Sequence, residues 1–497
     1  MKSYPLGHPV NGSPHSVCVS LPTMDDVIGY EEKEDRVLKK ISAGYPRFFR
    51  NPLIQDLANR WAQEHCMLPN DPLLPTEAAA VDLCEFLGLG GLSVAPVGPL
   101  WTVRIPDDRE VWKASRSFLQ HTGSGISSRE AEAILHEQYG CPVHEETRRE
   151  DSAENNLSFI RSKLHGVYET ASESDIFIFR GGMNAFYSGF RAIQSIQMER
   201  GRDLWIQLGW LYVDTARILE AFSLDTADPI QVFNILDLAD LRDVLFNNAH
   251  RIAGIVTEVP TNPLVQTPDV QELRELADKY KAALILDPTL VSPHNVNVLE
   301  YSDLHINSLT KYAASGGDVM MGALALNAKS PFYDDLLPIV SAFGSPPSPG
   351  DLARMAMQIE EYPDTIERIN HSTSKVAAFL EAHPQIESVY WAHSQPAAYN
   401  YNWLQHRKAG PGGIISFTLK KPLAEFYDPS RIVKSPSFGT HFTMMCPFMY
   451  LAHYDLAGNP EGRQKLQELG ISPDLIRLSI GLEPAEEIIT ELSRTLT

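Results

Sequence analysis

Between about residue 174 and residue 330 the chain alternates short apolar runs with amphipathic stretches, and this alternation restricts the fold more than any other feature. Ile176-Phe177-Ile178-Phe179 leads into Arg180-Gly181-Gly182-Met183-Asn184-Ala185-Phe186. Asp203-Leu204-Trp205-Ile206-Gln207 precedes Leu211-Tyr212-Val213-Asp214-Thr215, and the run 251–258 precedes Val259-Pro260-Thr261-Asn262-Pro263. A helical pattern through Val270, Leu273, Leu276, Ala277 and Tyr280 separates these from Ala282-Ala283-Leu284-Ile285-Leu286-Asp287. Strands alternating with helices imply an α/β fold, with a mostly parallel sheet covered by flanking helices on both faces. Ligands of such sheets sit beyond the carboxyl ends of the strands. The polar candidates all fall there, each just after an apolar run.

At 497 residues the chain is too long for one ordinary core. We expect an N-terminal segment over 1–75, a large domain over 76–343, and a smaller C-terminal α/β domain over 344–497. Residues 1–44 are rich in Pro, Gly and short polar residues and read as an arm. Gly44-Tyr45-Pro46-Arg47-Phe48-Phe49-Arg50-Asn51-Pro52 reads as extended and loop-like, because proline restricts itself and the residue before it. Helical spacing starts at Leu53, and again near Thr76-Glu77, ending at Gly88-Leu89-Gly90-Gly91. Residues 100–165 read as an insertion with one or two helices. Residues 344–350 read as a linker, followed by one long helical pattern to about Ala382. Strand patterns at 413–419 and 475–479 and an amphipathic tail from Ala485 complete the smaller domain.

Charge and composition exclude several classes. The net charge of −21 repels phosphate backbones, so no nucleic-acid partner is expected, and an anionic ligand must be held by a local site. Mean hydropathy of −0.18 and the absence of an eighteen-residue apolar run argue against a membrane role. The first residues lack the apolar core of a secretory signal. Five cysteines without a C-x-x-C spacing read as reduced thiols, which points to a cytoplasmic setting. No His, Cys or carboxylate spacing resembles a metal site, and none is expected.

Ser308-Leu309-Thr310-Lys311-Tyr312 carries the chemistry. One lysine stands beside two hydroxyls and before the small-residue loop Ala313-Ala314-Ser315-Gly316-Gly317-Asp318. That suits an amine condensing with a phosphorylated aldehyde, Ser308 and Thr310 being left free for the phosphate. Alone, the motif is more often an exposed lysine at a strand-to-loop junction. Gly181-Gly182-Met183 opens a helix after a strand, which leaves backbone N–H groups for an anion; alone it is a turn. Asp287 ends a buried strand, either as a helix cap or as partner to the protonated ring nitrogen of pyridoxal phosphate. Tyr212 can stack on a flat ring or pack in a core. Arg477 lies between Leu475 and Leu478 and needs an anion, either a substrate carboxylate or a structural acid.

Taken together, the phosphate loop, aromatic, Asn-bearing loop, Asp and Ser-x-Thr-Lys resemble the pyridoxal-phosphate enzymes of cysteine and methionine metabolism. Within them the chain is most like the fungal-type cystathionine γ-synthases. The resemblance runs from about residue 15 to the end. It includes Val19-Ser20-Leu21-Pro22-Thr23, Gly29-Tyr30-Glu31-Glu32, Gly44-Tyr45-Pro46-Arg47-Phe48 and Pro436-Ser437-Phe438-Gly439-Thr440. It implies the fold type I, aspartate aminotransferase-like architecture and pyridoxal 5'-phosphate (PLP) as cofactor. By resemblance, Lys311 binds the cofactor covalently and shuttles protons, Asp287 pairs with the ring nitrogen, and Tyr212 stacks on the ring and protonates a leaving group. Gly182, Met183, Ser308 and Thr310 hold the phosphate, and Asn262 lies near the phenolic oxygen. Ser437 and Arg477 hold the substrate carboxylate. Tyr45 and Arg47 match residues that reach the phosphate in a neighbouring subunit's site, implying a homodimer or homotetramer.

The implied reaction is γ-replacement on an O-acyl-L-homoserine with L-cysteine, giving L-cystathionine. Another nucleophile, or elimination to an oxo acid, is the alternative. A non-catalytic relative would have lost Lys311 or Asp287, and both are present. An NAD enzyme is disfavoured by the missing dinucleotide fingerprint. The chain departs from the family pattern with Tyr212-Val213-Asp214-Thr215 for Tyr-Gly-Gly-Thr, and Asp287-Pro288-Thr289 for Asp-Asn-Thr. Gly316 stands where a histidine is common, and an extra residue separates Arg47 from Asn51-Pro52. These departures bear on the substrate and nucleophile pockets more than on the cofactor site.

Overall fold

The computed structural model describes residues 1–45, 48–65, 67–170, 172–223, 228–406 and 409–497. Among these residues the strands form three sheets. The first, of three antiparallel strands, joins β1 (Leu73–Leu74), β2 (Ser93–Val97) and β3 (Leu100–Arg104) in the order β1-β3-β2. The second has seven strands: β4 (Ile176–Phe179), β5 (Leu204–Leu208), β6 (Ile230–Val232), β7 (Ile252–Glu258), β8 (Ala283–Asp287), β9 (Leu304–Ser308) and β10 (Gly322–Leu326). Their spatial order is β4-β10-β9-β8-β7-β5-β6. The pairs β5–β6, β5–β7, β7–β8 and β8–β9 are parallel, whereas β10 runs antiparallel to both of its neighbours. The reversal goes with the kind of connection rather than its length. Parallel strands need a crossover of a dozen or more residues, normally a helix. Only the small-residue turn 309–321, without a helix, joins β9 to β10.

Every residue of β5, β7 and β10 is buried, as expected for strands covered on both faces. One covering helix, Gly182–Glu199, packs against β4, β7, β9 and β10 and buries most of its length.

The third sheet, in the order β11-β12-β15-β14-β13, is built from β11 (Ile386–Tyr390), β12 (Ile414–Leu419), β13 (Val433–Lys434), β14 (Met444–Pro447) and β15 (Ile476–Ser479). The C-terminal helix Ala485–Leu496 and the helix Tyr362–Ala382 pack on each other beside it. Two expectations are corrected here. The pattern from Asp351 to Ala382 is two helices, Pro349–Gln358 and Tyr362–Ala382, separated by a 3-10 turn at Ile359–Glu361, and Pro349 already belongs to the first. The region 100–165 holds the whole of β3 and three helices, Arg109–Thr122, Ser128–Tyr139 and Ala153–Tyr168, rather than one or two.

The first 45 residues lie along the body of the molecule. Val17 N–H donates to Gly317 O (2.9 Å), Leu21 N–H to Lys434 O (2.9 Å) and Met24 N–H to Asp428 Oδ1 (2.8 Å). A short helix, Met24–Glu31, starts at the Thr23 cap. No described helix is long and apolar enough to cross a membrane.

Candidate active site

Strand ends build the site. β4, β5, β7, β8 and β9 finish at one edge of the large sheet, and there each meets a residue singled out by sequence. After β4 the chain turns through Gly181 into the helix Gly182–Glu199. The N–H groups of Gly182 and Met183 are in its first turn, where no intrahelical acceptor exists. The helix start sits hard against β9. A Cβ added to Gly182 would lie 2.7 Å from Ser308 Cβ and 3.1 Å from Ser308 Cα, neither of which is a flexible side-chain end. Gly182→Ala therefore pushes the helix start away from Ser308. Overpacking of this kind costs about 1–3 kcal/mol, which predicts cofactor affinity weaker by roughly 5- to 100-fold. Titrating apoprotein with pyridoxal phosphate measures it, and an unchanged affinity would remove Gly182 from the phosphate cradle.

Ser308, the last residue of β9, donates its N–H to Thr289 Oγ1 (2.9 Å). The Thr310 hydroxyl donates to Met321 O (3.3 Å) and accepts from Met321 N–H (3.1 Å), so it is not free as the sequence suggested. The turn into β10 uses it as a backbone brace, although Thr310 still lines the cavity.

Lys311 Nζ donates to Ser437 Oγ (2.7 Å) and to Tyr45 OH, and these two hydroxyls are 2.8 Å apart. The ammonium lies 4.9 Å from the Tyr45 ring centroid and 4.8 Å from that of Phe438. Ser437 has φ of 102°, a region L-residues seldom occupy. Its carbonyl accepts from Arg477 Nη2 (2.8 Å), which helps to hold the strained backbone in place.

Arg477 is buried at the centre of the third sheet, between β12 and β14. Its Nη1 donates to Asn262 Oδ1 (3.2 Å), joining the smaller sheet to the loop after β7. Both of these acceptors are neutral. Tyr212 is the cap residue of the helix Val213–Ala221, and its side chain lines the cavity.

Two carboxyl groups stand side by side. Glu258 and Asp287 are register partners at the ends of the parallel strands β7 and β8. Glu258 accepts from Tyr212 N–H (2.5 Å) and Asn262 N–H (3.1 Å), one to each oxygen. Burial raises the Glu258 carboxyl and the Asp287 charge raises it further, while the two N–H groups and Arg477 pull it down. Burial likewise raises Asp287, opposed by Thr289, whose N–H donates to Asp287 Oδ1 (2.8 Å). Glu258 closes the apolar run 251–258 but received no role from sequence. A strand-ending acid directly before Val-Pro, in register with a second acid, was the available signal.

All the site residues predicted from sequence line one cavity of about 420 Å³, except Arg47, which lies outside the described residues. Tyr45 lines the cavity of its own chain. The residues fit pyridoxal phosphate. Asp287 lacks a cationic partner among the described residues, its side chain being bonded only by Thr289, and a protonated ring nitrogen supplies one. The helix start at Gly182 offers uncharged N–H donors to a phosphate, and Lys311 offers the amine.

Comparison with known proteins agrees with this fit. Residues 143–497 match the family model described as Cys/Met metabolism PLP-dependent enzyme. An L-2-amino-4-chloropent-4-enoate dechlorinase/desaturase of Streptantibioticus cattleyicolor is 36% identical over 98% of this chain and 97% of its own length. The cystathionine gamma-synthase of Neurospora crassa is 28% identical over 100% of this chain and 98% of its own. Among solved structures, cystathionine gamma synthase from Xanthomonas oryzae pv. oryzae, in complex with aminoacrylate and cysteine, superposes with a TM-score of 0.59 at 22% identity. That likeness covers 72% of this chain and 94% of the other and shows the shared fold. The sheet, the cavity and the family match lead to one statement: this chain belongs to the PLP-dependent enzymes of Cys/Met metabolism, with the fold type I architecture that its sequence implied.

Proposed function

We propose that this enzyme expels a γ-substituent from an L-α-amino acid and, in its full reaction, replaces it with the thiol of L-cysteine. The substrate is then an O-acyl-L-homoserine and the products are L-cystathionine and the free acid. The observation that carries the reading is the link from Arg477 through Ser437 to Lys311. An amino acid whose carboxylate is held at Arg477 presents its α-carbon toward Nζ. Pyridoxal phosphate, when bound, supplies the electron sink that acidifies the bonds at that carbon. Lys311 takes the α-proton and returns a proton later. Arg477 and Ser437 orient the carboxylate, Asp287 holds the ring nitrogen in its protonated form, and Tyr212 covers the ring and donates a proton to the departing group. Asn262 steadies Arg477 and faces the phenolic oxygen. Gly182, Met183, Ser308 and Thr310 hold the phosphate end, with Tyr45, which reaches this cavity from its own chain, and Arg47 completing it, and the enzyme is a homodimer or homotetramer in the cytoplasm.

A second reading ends at elimination, with no external thiol. It is favoured by the 36% identity, over nearly the full length of both chains, to a protein named as a dechlorinase/desaturase. One assay separates the two. Purified holoenzyme is given O-acetyl- or O-succinyl-L-homoserine with and without L-cysteine, and separately L-2-amino-4-chloropent-4-enoate. Cystathionine that depends on cysteine supports replacement. Chloride release, or oxobutyrate unchanged by cysteine, supports elimination. Inertness toward all of these substrates would overturn γ-chemistry.

A further inference from the structure

The helix Arg109–Thr122 and the turn after it precede residue 143, where the family match begins, yet this segment grips both helix starts of the site. On the ring side, His121 Nδ1 lies 2.8 Å from Asp214 Oδ1, and Gln120 Nε2 lies 3.4 Å from the same oxygen. Asp214 is in the first turn of the helix that Tyr212 caps, and its side chain is wholly buried, while that of His121 is 15% exposed. A carboxylate in a first turn complements the helix's positive end. Once enclosed, it also needs hydrogen-bond donors, and His121 provides the shorter of these two contacts. On the phosphate side, Asn184 Nδ2 donates to Thr122 O (3.1 Å), and Arg180, just before the two glycines, donates to Gly125 O (3.0 Å) and pairs with Glu130 (3.1 Å). Gln120 and Gly123 themselves line the cavity.

We propose that residues 109–130 are a built-in wall of the active site, in which His121 is a positioning residue. Through Asp214 it fixes the loop that lays Tyr212 against the cofactor ring. The inference rests on Tyr212 being the ring-stacking residue.

The test titrates apoprotein with pyridoxal phosphate and records the apparent Kd, the visible circular dichroism of the bound cofactor, and the apoprotein melting temperature. Four variants are compared with the parent. They are His121→Ala, His121→Asn (whose amide nitrogen stands near the position of Nδ1), Tyr212→Ala as reference, and Lys113→Ala as a control on the exposed side of the same helix. Losing a hydrogen bond to a buried charge predicts a Kd about tenfold higher for His121→Ala, with reduced visible dichroism per bound cofactor and an apoprotein that melts somewhat lower but in a single transition. His121→Asn should recover most of the affinity and the dichroism, and Lys113→Ala should match the parent. The inference is overturned if His121→Ala binds as the parent does, if His121→Asn recovers nothing, or if the apoprotein melt falls while the dichroism per bound cofactor stays that of the parent. An unchanged Kd and dichroism in Tyr212→Ala would instead overturn the ring reading. A weakened Tyr212→Ala beside a normal His121→Ala sinks the His121 role alone.

Discussion

Lys311→Ala yields a folded protein that loses turnover by at least about 1000-fold and no longer retains cofactor in a form that borohydride can fix to the chain. Two contributions vanish together: the amine that binds the cofactor covalently, and the base that moves the α-proton, itself worth about 100- to 10,000-fold. The fold survives because the side chain ends in the cavity rather than in the packed core. Two of its hydrogen-bond partners, Tyr45 OH and Ser437 Oγ, lie 2.8 Å from one another and can bond each other when the amine is gone. Its backbone N–H donates to Ser308 O (3.1 Å) whatever the side chain. Mass spectrometry after borohydride treatment, with a turnover assay, reads both losses. A variant that still fixes one cofactor per chain on borohydride treatment, at another amine, or that turns over within tenfold of the parent, would refute the assignment.

The electrostatics of the cavity explain how a chain of net charge −21 holds an anionic cofactor. In the proposed reading the phosphate end is held by N–H donors at a helix start, which act at hydrogen-bond range, whereas surface charges more than about 10 Å away are largely screened by salt. The ring end presents two carboxyls, Glu258 and Asp287, in adjacent register. One carries no cation and suits a pyridinium. The other is saturated by two backbone N–H groups and spends its charge on holding Tyr212 and Asn262 in place. This division of labour between neighbouring acids is local: it needs both strands, paired, before it exists.

That requirement marks the limit of what the sequence could say. The strand-helix alternation and the position of each candidate after an apolar run were legible because periodicity and strand ends are properties of short segments. Ser308 and Asp287 do close β9 and β8. Strand order was not legible, since nothing local tells β10 to insert between β4 and β9. Thr310 looked like an unengaged hydroxyl because its bonds with Met321 form only when the turn folds back. Glu258 went unassigned because its role depends on Asp287, 29 positions further along the chain. The region 100–165 looked like an accessory for the same reason. His121 gains meaning only when Asp214, 93 residues away, is packed against it.

Arg477→Ala should raise the KM for the amino-acid substrate by roughly 30- to 1000-fold, the consequence of removing about 2–4 kcal/mol from a desolvated charge pair. Cofactor affinity should change by less than about threefold. The guanidinium is buried, lies 5.1 Å from the ring of Phe438 and 4.8 Å from that of Phe448, and donates to two neutral oxygens, Asn262 Oδ1 and Ser437 O. A buried cation so placed favours an incoming anion, because the cost of taking it out of water has already been met in folding the third sheet. The sequence left a structural acid as an equal alternative; among the described residues no carboxylate stands within ion-pair distance of Arg477, which favours the substrate. The phosphate cradle at Gly182 and Ser308 belongs to the other sheet, so it should keep its geometry. Arg477→Lys should recover only part of the loss, because an ammonium cannot offer the paired donors of a guanidinium. Steady-state kinetics and a cofactor titration on the same preparations decide the matter. A KM within threefold of the parent would leave the carboxylate without its holder, and loss of the cofactor itself would move Arg477 from the substrate's site to the cofactor's.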